Sequence, residues 1–229
     1  MFKDNEQLLG QGTSRFENNQ GLVGCVQEVI LSPDKSLTEQ GKIALSHELT
    51  PLTATGFMRD ISLPDAYKVM FNDVFNHVIP CDRLLVYRKE SKPVAFMSAS
   101  FMVFEKKCVY HLEGIIVAPS MHGKGFSSGI LIRDLSECRA DMLTFHTQSR
   151  SMEILGYGVS NFDIDLARKI AGCVGTKNLV DLPSGPMDKG RYGGSLYGDL
   201  EKFDPIAIKR PGFNYLEGNA IVFAGRIIK

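Results

Sequence analysis

Residues 114–128 constrain this chain more than any other stretch. They read Gly114-Ile-Ile-Val-Ala-Pro119, then Ser-Met-His-Gly123-Lys-Gly125, then Phe-Ser-Ser128. The apolar, β-branched run ending at Pro119 predicts a strand. Ile130, Leu131, Leu135 and Cys138 then share one face of a helix over about 127–139. Between them, Gly123 and Gly125 let the backbone turn sharply and present its N–H groups. The helix start adds unpaired donors and the positive end of its dipole. The combination is an anion site suited to a pyrophosphate. The same spacing also arises as a plain turn, so the flanking order has to decide. Two rival phosphate patterns fit poorly. The dinucleotide fingerprint needs a third glycine where Ser128 stands, and the Walker pattern needs Ser or Thr where Gly125 stands.

The remaining chain can support such a site. At 229 residues and 44% hydrophobic, it is long enough for a sizeable core. The formal net charge is zero, which disfavours nucleic acid and anionic membranes as partners. Cys25, Cys81, Cys108, Cys138 and Cys173 are odd in number and widely spaced, with no Cys-x-x-Cys, so they signal neither a zinc site nor a redox pair and read as reduced, small apolar side chains. No apolar run approaches a membrane span, and the polar N-terminus lacks a signal-peptide core. The expectation is a soluble, cytoplasmic protein without a metal.

The pattern of elements is legible over the first two thirds. Residues 1–20 read as a polar arm and 21–31 as a first strand. Residues 32–40 look like a loop, and 46–55 are ambiguous. Pro64–His77 reads as a helix with two apolar rows, Ala66/Met70/Val74 and Tyr67/Phe71/Phe75. Strands follow at 83–88, 94–104 and 108–117, with connections short enough to make them antiparallel neighbours. After the glycine turn and its helix comes a short strand at 142–147, which implies a parallel crossover. Short helices are expected at 152–155 and 164–171, a long loop at 181–198, and a last strand at 220–228.

At this point the chain resembles the GNAT superfamily of N-acetyltransferases. Val117-Ala-Pro-Ser-Met-His-Gly-Lys-Gly-Phe-Ser-Ser-Gly-Ile-Leu131 is similar to that family's coenzyme A-binding segment. Gly125 matches its central glycine. His122 stands where Gln or Arg is usual, and Ser127 where Gly or Ala is. The resemblance implies an α/β fold with a mixed, mainly antiparallel twisted sheet flanked by helices. It covers residues 21–158 as an acyltransferase core, with 159–229 as an extension that completes the sheet. It further implies acetyl-CoA as acyl donor, a primary amine as acceptor, direct attack in a ternary complex, and a monomer or homodimer.

The resemblance also assigns residues. Ile115, Ile116 and Val117 would pair with the pantetheine arm. His122, Gly123, Lys124, Gly125, Phe126, Ser127 and Ser128 would hold the pyrophosphate. Gln148 or Ser149 stands nearest to a cofactor-holding Asn. Direct attack needs a neutral amine, whereas a lysine-like amine is mostly ammonium at neutral pH, so a base is required. Glu113 and His111 lie two apart on one strand and share a face. Either could be that base, or an ordinary strand residue. Leu112, Ile115 and Ile116 predict that the strand around them is buried. The family often carries a tyrosine that protonates the departing thiolate. Its position falls on Gly156, with Tyr157 one residue on, a rotation of about 100° in a helix. A CoA-binding module that keeps the fold without catalysis fits the same residues.

Overall fold

The structure is a computed structural model that describes residues 13–15 and 24–228. In chain order its strands are β1 (Thr13–Arg15), β2 (Val26–Leu31), β3 (Arg83–Lys89), β4 (Lys92–Phe104), β5 (Lys107–Val117), β6 (Met142–Thr147), β7 (Ser160–Phe162), β8 (Leu179–Leu182), β9 (Gly185–Asp188) and β10 (Ala220–Ile227). Its helices are α1 (Pro33–Ser36), α2 (Glu39–Gly56), α3 (Pro64–His77), α4 (Phe126–Cys138), α5 (Arg150–Val159), α6 (Ile164–Ile170) and α7 (Leu200–Phe203). The sheet is mixed and mainly antiparallel, and its one parallel register joins β5 to β6. The expected fold class is therefore the observed one. Apart from Thr13–Arg15, which pairs with β2, the expected arm over residues 1–20 lies outside the described residues.

The chain divides into two compact units. One takes the chain up to Ser100 together with Leu112–Arg139, and the other takes Phe101–His111 and everything from Ala140. In the first unit, β3 alternates between two faces as a pleated strand must. Leu84 and Val86 join Leu45, Leu49, Leu52, Val74 and Ile116 in a core beneath α2 and α3. Arg83 and Tyr87 point the other way. Tyr87 meets Phe126 edge-on at 5.6 Å, and Arg83 meets Asp134, both at the α4 side.

The short helix α1 and the first residues of α2 replace the expected loop at 32–40, and α2 takes in the ambiguous stretch at 46–55. Thr38 caps α2 by accepting from the Gly41 N–H at 3.1 Å. Pro51 hid it from the sequence, because a proline removes the bond to the carbonyl of His47 four residues back. The Tyr67 hydroxyl stands beside that residue, 2.9 Å from His47 Nδ1 and 3.5 Å from its carbonyl. Thr50, Thr53 and Thr55 bond the carbonyls four residues back, which suits a bent or interrupted helix. On α3, Met70 and Val74 are buried as expected. The Tyr67/Phe71/Phe75 row is only half-buried, and His47 packs on Phe71 with centroids 4.4 Å apart.

The second unit is built around β10, which pairs with β6 over six residues and also with β7 and β9. One face packs Val109, Val222 and Ala224 against Leu166, Ala167 and Ile170 of α6. The other stacks Phe145 on Phe223, with ring centroids 4.4 Å apart, beneath α5. The expected loop at 181–198 is corrected at its start. The hairpin β8–β9 forms there, and Pro186 within β9 and Gly185 at φ 127 concealed it. All five cysteines are free thiols, and burial pushes that of Cys81 up to about 12.

Two substitutions test this packing. Asp134→Ala leaves the Arg83 guanidinium short of a partner in a site closed to water, and should cost about 3–5 kcal/mol in urea unfolding. Gly156→Ala gains about 1 kcal/mol of helix propensity, but its methyl would lie 2.7 Å from Phe223 Cζ and 2.8 Å from Phe145 Cζ. The clash should dominate and lower the unfolding midpoint.

Candidate active site

The strand β5 leaves the sheet through a 3-10 turn at Pro119–Met121 and enters α4 at Phe126. The Ala118 N–H donates to the Val94 carbonyl at 2.8 Å, on the β4 side. The Val117 carbonyl of the same peptide unit therefore points the opposite way. His122 Nε2 lies 2.9 Å from that carbonyl, so it carries the proton and donates. Gly123 and Gly125 have φ of 73° and 68°, values that disfavour any side chain. Lys124 donates to the Ser120 carbonyl at 3.0 Å.

Gly125 is the N-cap of α4 and provides no side chain to satisfy the first turn. The helix start thus keeps the donors that an anion would take. A Cβ built on Gly123 would meet nothing within 4 Å, and one on Gly125 would meet only Ser128 Oγ at 3.8 Å. The turn is open over its backbone, as a phosphate cradle must be. Residues 122–125 are exposed, Ser127 and Ser128 half-buried, and Phe126 buried against Tyr87. Ile115 is half-buried, while Ile116 and Val117 are buried. Ile116 fills the space that a side chain at Gly56 of α2 would need.

The two candidate bases do not share a setting. Glu113, in the first unit, is exposed, which corrects the expectation of burial drawn from its apolar neighbours. Its Oε1 accepts from Ser100 Oγ at 2.9 Å. His111, in the second unit, is buried with Nδ1 2.9 Å from Thr144 Oγ1. Its ring meets that of His146 at 5.6 Å, edge to face. The β5–β6 register covers Val109, Tyr110 and His111, although β5 runs on to Val117 and β6 to Thr147.

His146, which the sequence offers as a weaker candidate than His111, has a buried side chain. Its side chain is 3% exposed, with Nε2 3.0 Å from Thr176 Oγ1 and 3.9 Å from Asp188 Oδ2. Its Nδ1 has no hydrogen-bond partner among the described residues. Burial first, then the charges of Arg191 and His111, pushes its pKa down to about 2. Asp188 is occupied by the N–H groups of Lys177 and Asn178 and by Arg191.

The second-unit candidates for cofactor and acid have other partners. Gln148 donates to the Tyr215 and Asn219 carbonyls and accepts from the Leu196 N–H, so its amide ties the C-terminal loops together. Ser149 is buried at the N-cap of α5, where its N–H donates to Thr147 Oγ1. Burial holds the neighbouring Tyr197 phenol up at about 12, against the pull of its hydrogen bond with Ser149. Gly156 packs against the Cζ ends of the stacked Phe145 and Phe223 rings. Tyr157 points outward, 46% exposed, with its ring edge on Phe162 and Phe223.

No family model matches the chain, and no curated protein does. Among solved structures it is similar to aminoglycoside 6'-acetyltransferase type Ii, at 11% identity over 88% of this chain and 97% of that one, with a TM-score of 0.44. It is similar to an IAA acetyltransferase from Bacillus cereus at 13% identity, over 89% and 99% of the two chains, with a TM-score of 0.39. A GNAT family acetyltransferase from Brucella melitensis, in complex with acetyl-CoA, matches at 13% identity over 60% and 82%, with a TM-score of 0.37. Identities this low carry no residue-by-residue assignment. Among the described residues, no group of three or more His, Cys, Asp or Glu side chains is placed to hold a metal ion, and no helix is long and apolar enough to cross a membrane.

The buried neutral His146 has a pH signature. Its folded pKa lies below the unfolded value of about 6.5, so the unfolded chain binds the proton first and stability falls as pH drops from about 6.5 towards 2. The slope from one such group approaches about 1 kcal/mol per pH unit. Urea unfolding between pH 7 and 5 should show a shallower loss for His146→Gln than for the parent protein. Equal slopes would mean that the imidazole charges in the folded state.

Proposed function

We propose that this protein is an N-acetyltransferase that moves an acetyl group from acetyl-CoA to a primary amine by direct attack in a ternary complex. One observation carries the reading: the uncapped, glycine-lined turn that links β5 to α4, open above Gly123 and Gly125. Backbone N–H groups of Gly123 to Ser128 would hold the diphosphate, supported by the dipole of a thirteen-residue helix and the charge of Lys124. The resemblance in residues 117–131 makes coenzyme A the diphosphate ligand and assigns its pantetheine arm to the backbone of Ile115–Val117.

The chemistry needs a proton acceptor and an attacking lone pair. Glu113 is the first unit's candidate base, because it is exposed, on a strand, and four residues before β5 ends at Val117. In this reading its carboxylate takes one proton from the acceptor's ammonium. The neutral nitrogen attacks the thioester carbonyl carbon, a C–N bond forms, and the C–S bond breaks. The thiolate leaves with the electron pair and takes up the second proton shed by the attacking nitrogen, giving coenzyme A and an acetamide that keeps one N–H.

A second reading, a CoA-binding module without catalysis, draws on Gly156. It occupies the position expected for the acid tyrosine and packs too closely on Phe145 and Phe223 to admit one. Both readings predict that calorimetry detects binding of acetyl-CoA and coenzyme A, and that NADH does not bind. Gly123→Val fills the open space above the turn and should weaken acetyl-CoA binding about tenfold or more while the protein stays folded. Release of free thiol with a panel of primary amines separates enzyme from module. Binding of NADH in place of coenzyme A would sink both.

A further inference from the structure

We infer that Ser100 is a positioning residue for Glu113, fixing the carboxylate that receives the acceptor's proton; this rests on the acetyltransferase reading above. The argument begins with a difficulty in that reading. Glu113 is exposed, and a solvated glutamate samples many rotamers, each lost at an entropic cost when the chemistry demands one. A general base must hold its oxygen within hydrogen-bond reach of the proton it takes. Something on a rigid element therefore has to select the rotamer.

Ser100 meets that requirement. It sits on β4, the strand neighbouring β5, and its Oγ is 2.9 Å from Glu113 Oε1. An ionised carboxylate only accepts, so the hydroxyl donates. The bond is charge-assisted, the stronger kind. A carboxylate offers about four lone-pair sites, of which this bond takes one, so the base function is compatible with it. The serine is also out of place on hydrophobic grounds. It lies in a strand whose preceding residues Ala95, Phe96, Met97 and Ala99 are fully buried, and the backbone would accept an apolar residue there at no cost in strand propensity. With Ser98 it makes a pair of hydroxyls in an otherwise apolar run.

The chemistry assigned is therefore orientation, with no bond made or broken at Ser100. Its loss should lower kcat and leave the cofactor's affinity alone, because neither partner lies in the glycine turn. The experiment is a steady-state comparison of Ser100→Ala, Ser100→Thr, Glu113→Gln and the Ser100→Ala/Glu113→Gln double variant. Acetyl-CoA and the best amine of the panel are the substrates. We expect Ser100→Ala to lower kcat about tenfold, the scale of one charged hydrogen bond, with KM for acetyl-CoA within about twofold. Ser100→Thr, which keeps the hydroxyl, should recover most of the loss. Adding Ser100→Ala to Glu113→Gln should change kcat little, since a residue that acts through another adds nothing once that one is gone. Full activity in Ser100→Ala beside an inactive Glu113→Gln would overturn the positioning role and leave the base in place. Parent-like activity in Glu113→Gln would overturn the base and this inference together. Should Ser100→Ala fail to fold, Ser100→Thr and Ser100→Cys carry the comparison. The weak thiol donor should then lose rate relative to the threonine, and equal rates for the two would overturn the role.

Discussion

The cradle at the head of α4 depends on a buried charge. Arg83 is closed to solvent, and its guanidinium meets Asp134 at 2.7 Å and Glu137 at 3.0 Å, both on α4. Burial opposes the charge, but the two carboxylates outweigh it and hold the guanidinium pKa above its ordinary value. A buried ion pair of this kind adds little net stability over well-packed apolar residues. What it supplies is register. Two helical positions three apart are fastened to the first residue of β3, so α4 can neither rotate nor slide without leaving a charge unpaired. Tyr87, four residues further along β3, sets Phe126 at the other end of the helix by ring contact. The head of α4, where the N–H donors gather, is thus located by one strand.

That arrangement explains which parts of the fold were legible. Period-two and period-3.6 patterns carry elements whose apolar face is long and unbroken, and α3, β6 and the three strands from 83 to 117 were read to within two residues. The misread elements carry breaker residues with partners distant in sequence. Pro51 sits inside α2, and the Tyr67 hydroxyl stands beside the carbonyl it orphans. Pro186 sits in β9. The Arg83–Asp134 pair, 51 residues apart, leaves no local trace at either position.

The candidate site divides along the same line. The glycine turn was legible because its chemistry is local: backbone conformation, a helix start and an open space above them. Polar residues near it were harder to assign, because their roles depend on what lies opposite. Gln148 looked like a cofactor contact by position, yet its amide closes three backbone groups from loops 48 to 71 residues away. Unmet, those groups would each cost about 1–3 kcal/mol in the interior. The hydroxyl of Ser100 interrupts an apolar strand, but its hydrogen bond to Glu113, thirteen residues on, leaves no local trace in the sequence.

In the proposed reaction, the choice between the two candidate bases turns on where a proton can go after it is taken. A base that acts once per turnover must return its proton to solvent. Glu113 faces solvent and can do so directly. His111 is buried, hydrogen-bonded to Thr144 and set edge-on to a second imidazole that stays neutral down to about pH 2. A proton on His111 would place a charge in a site closed to water, where an uncompensated charge is costly. The same strand thus offers a carboxylate in contact with solvent and an imidazole closed off from it. Abstraction of a proton from an ammonium favours the first, because the product of that step is a neutral carboxyl rather than a buried cation.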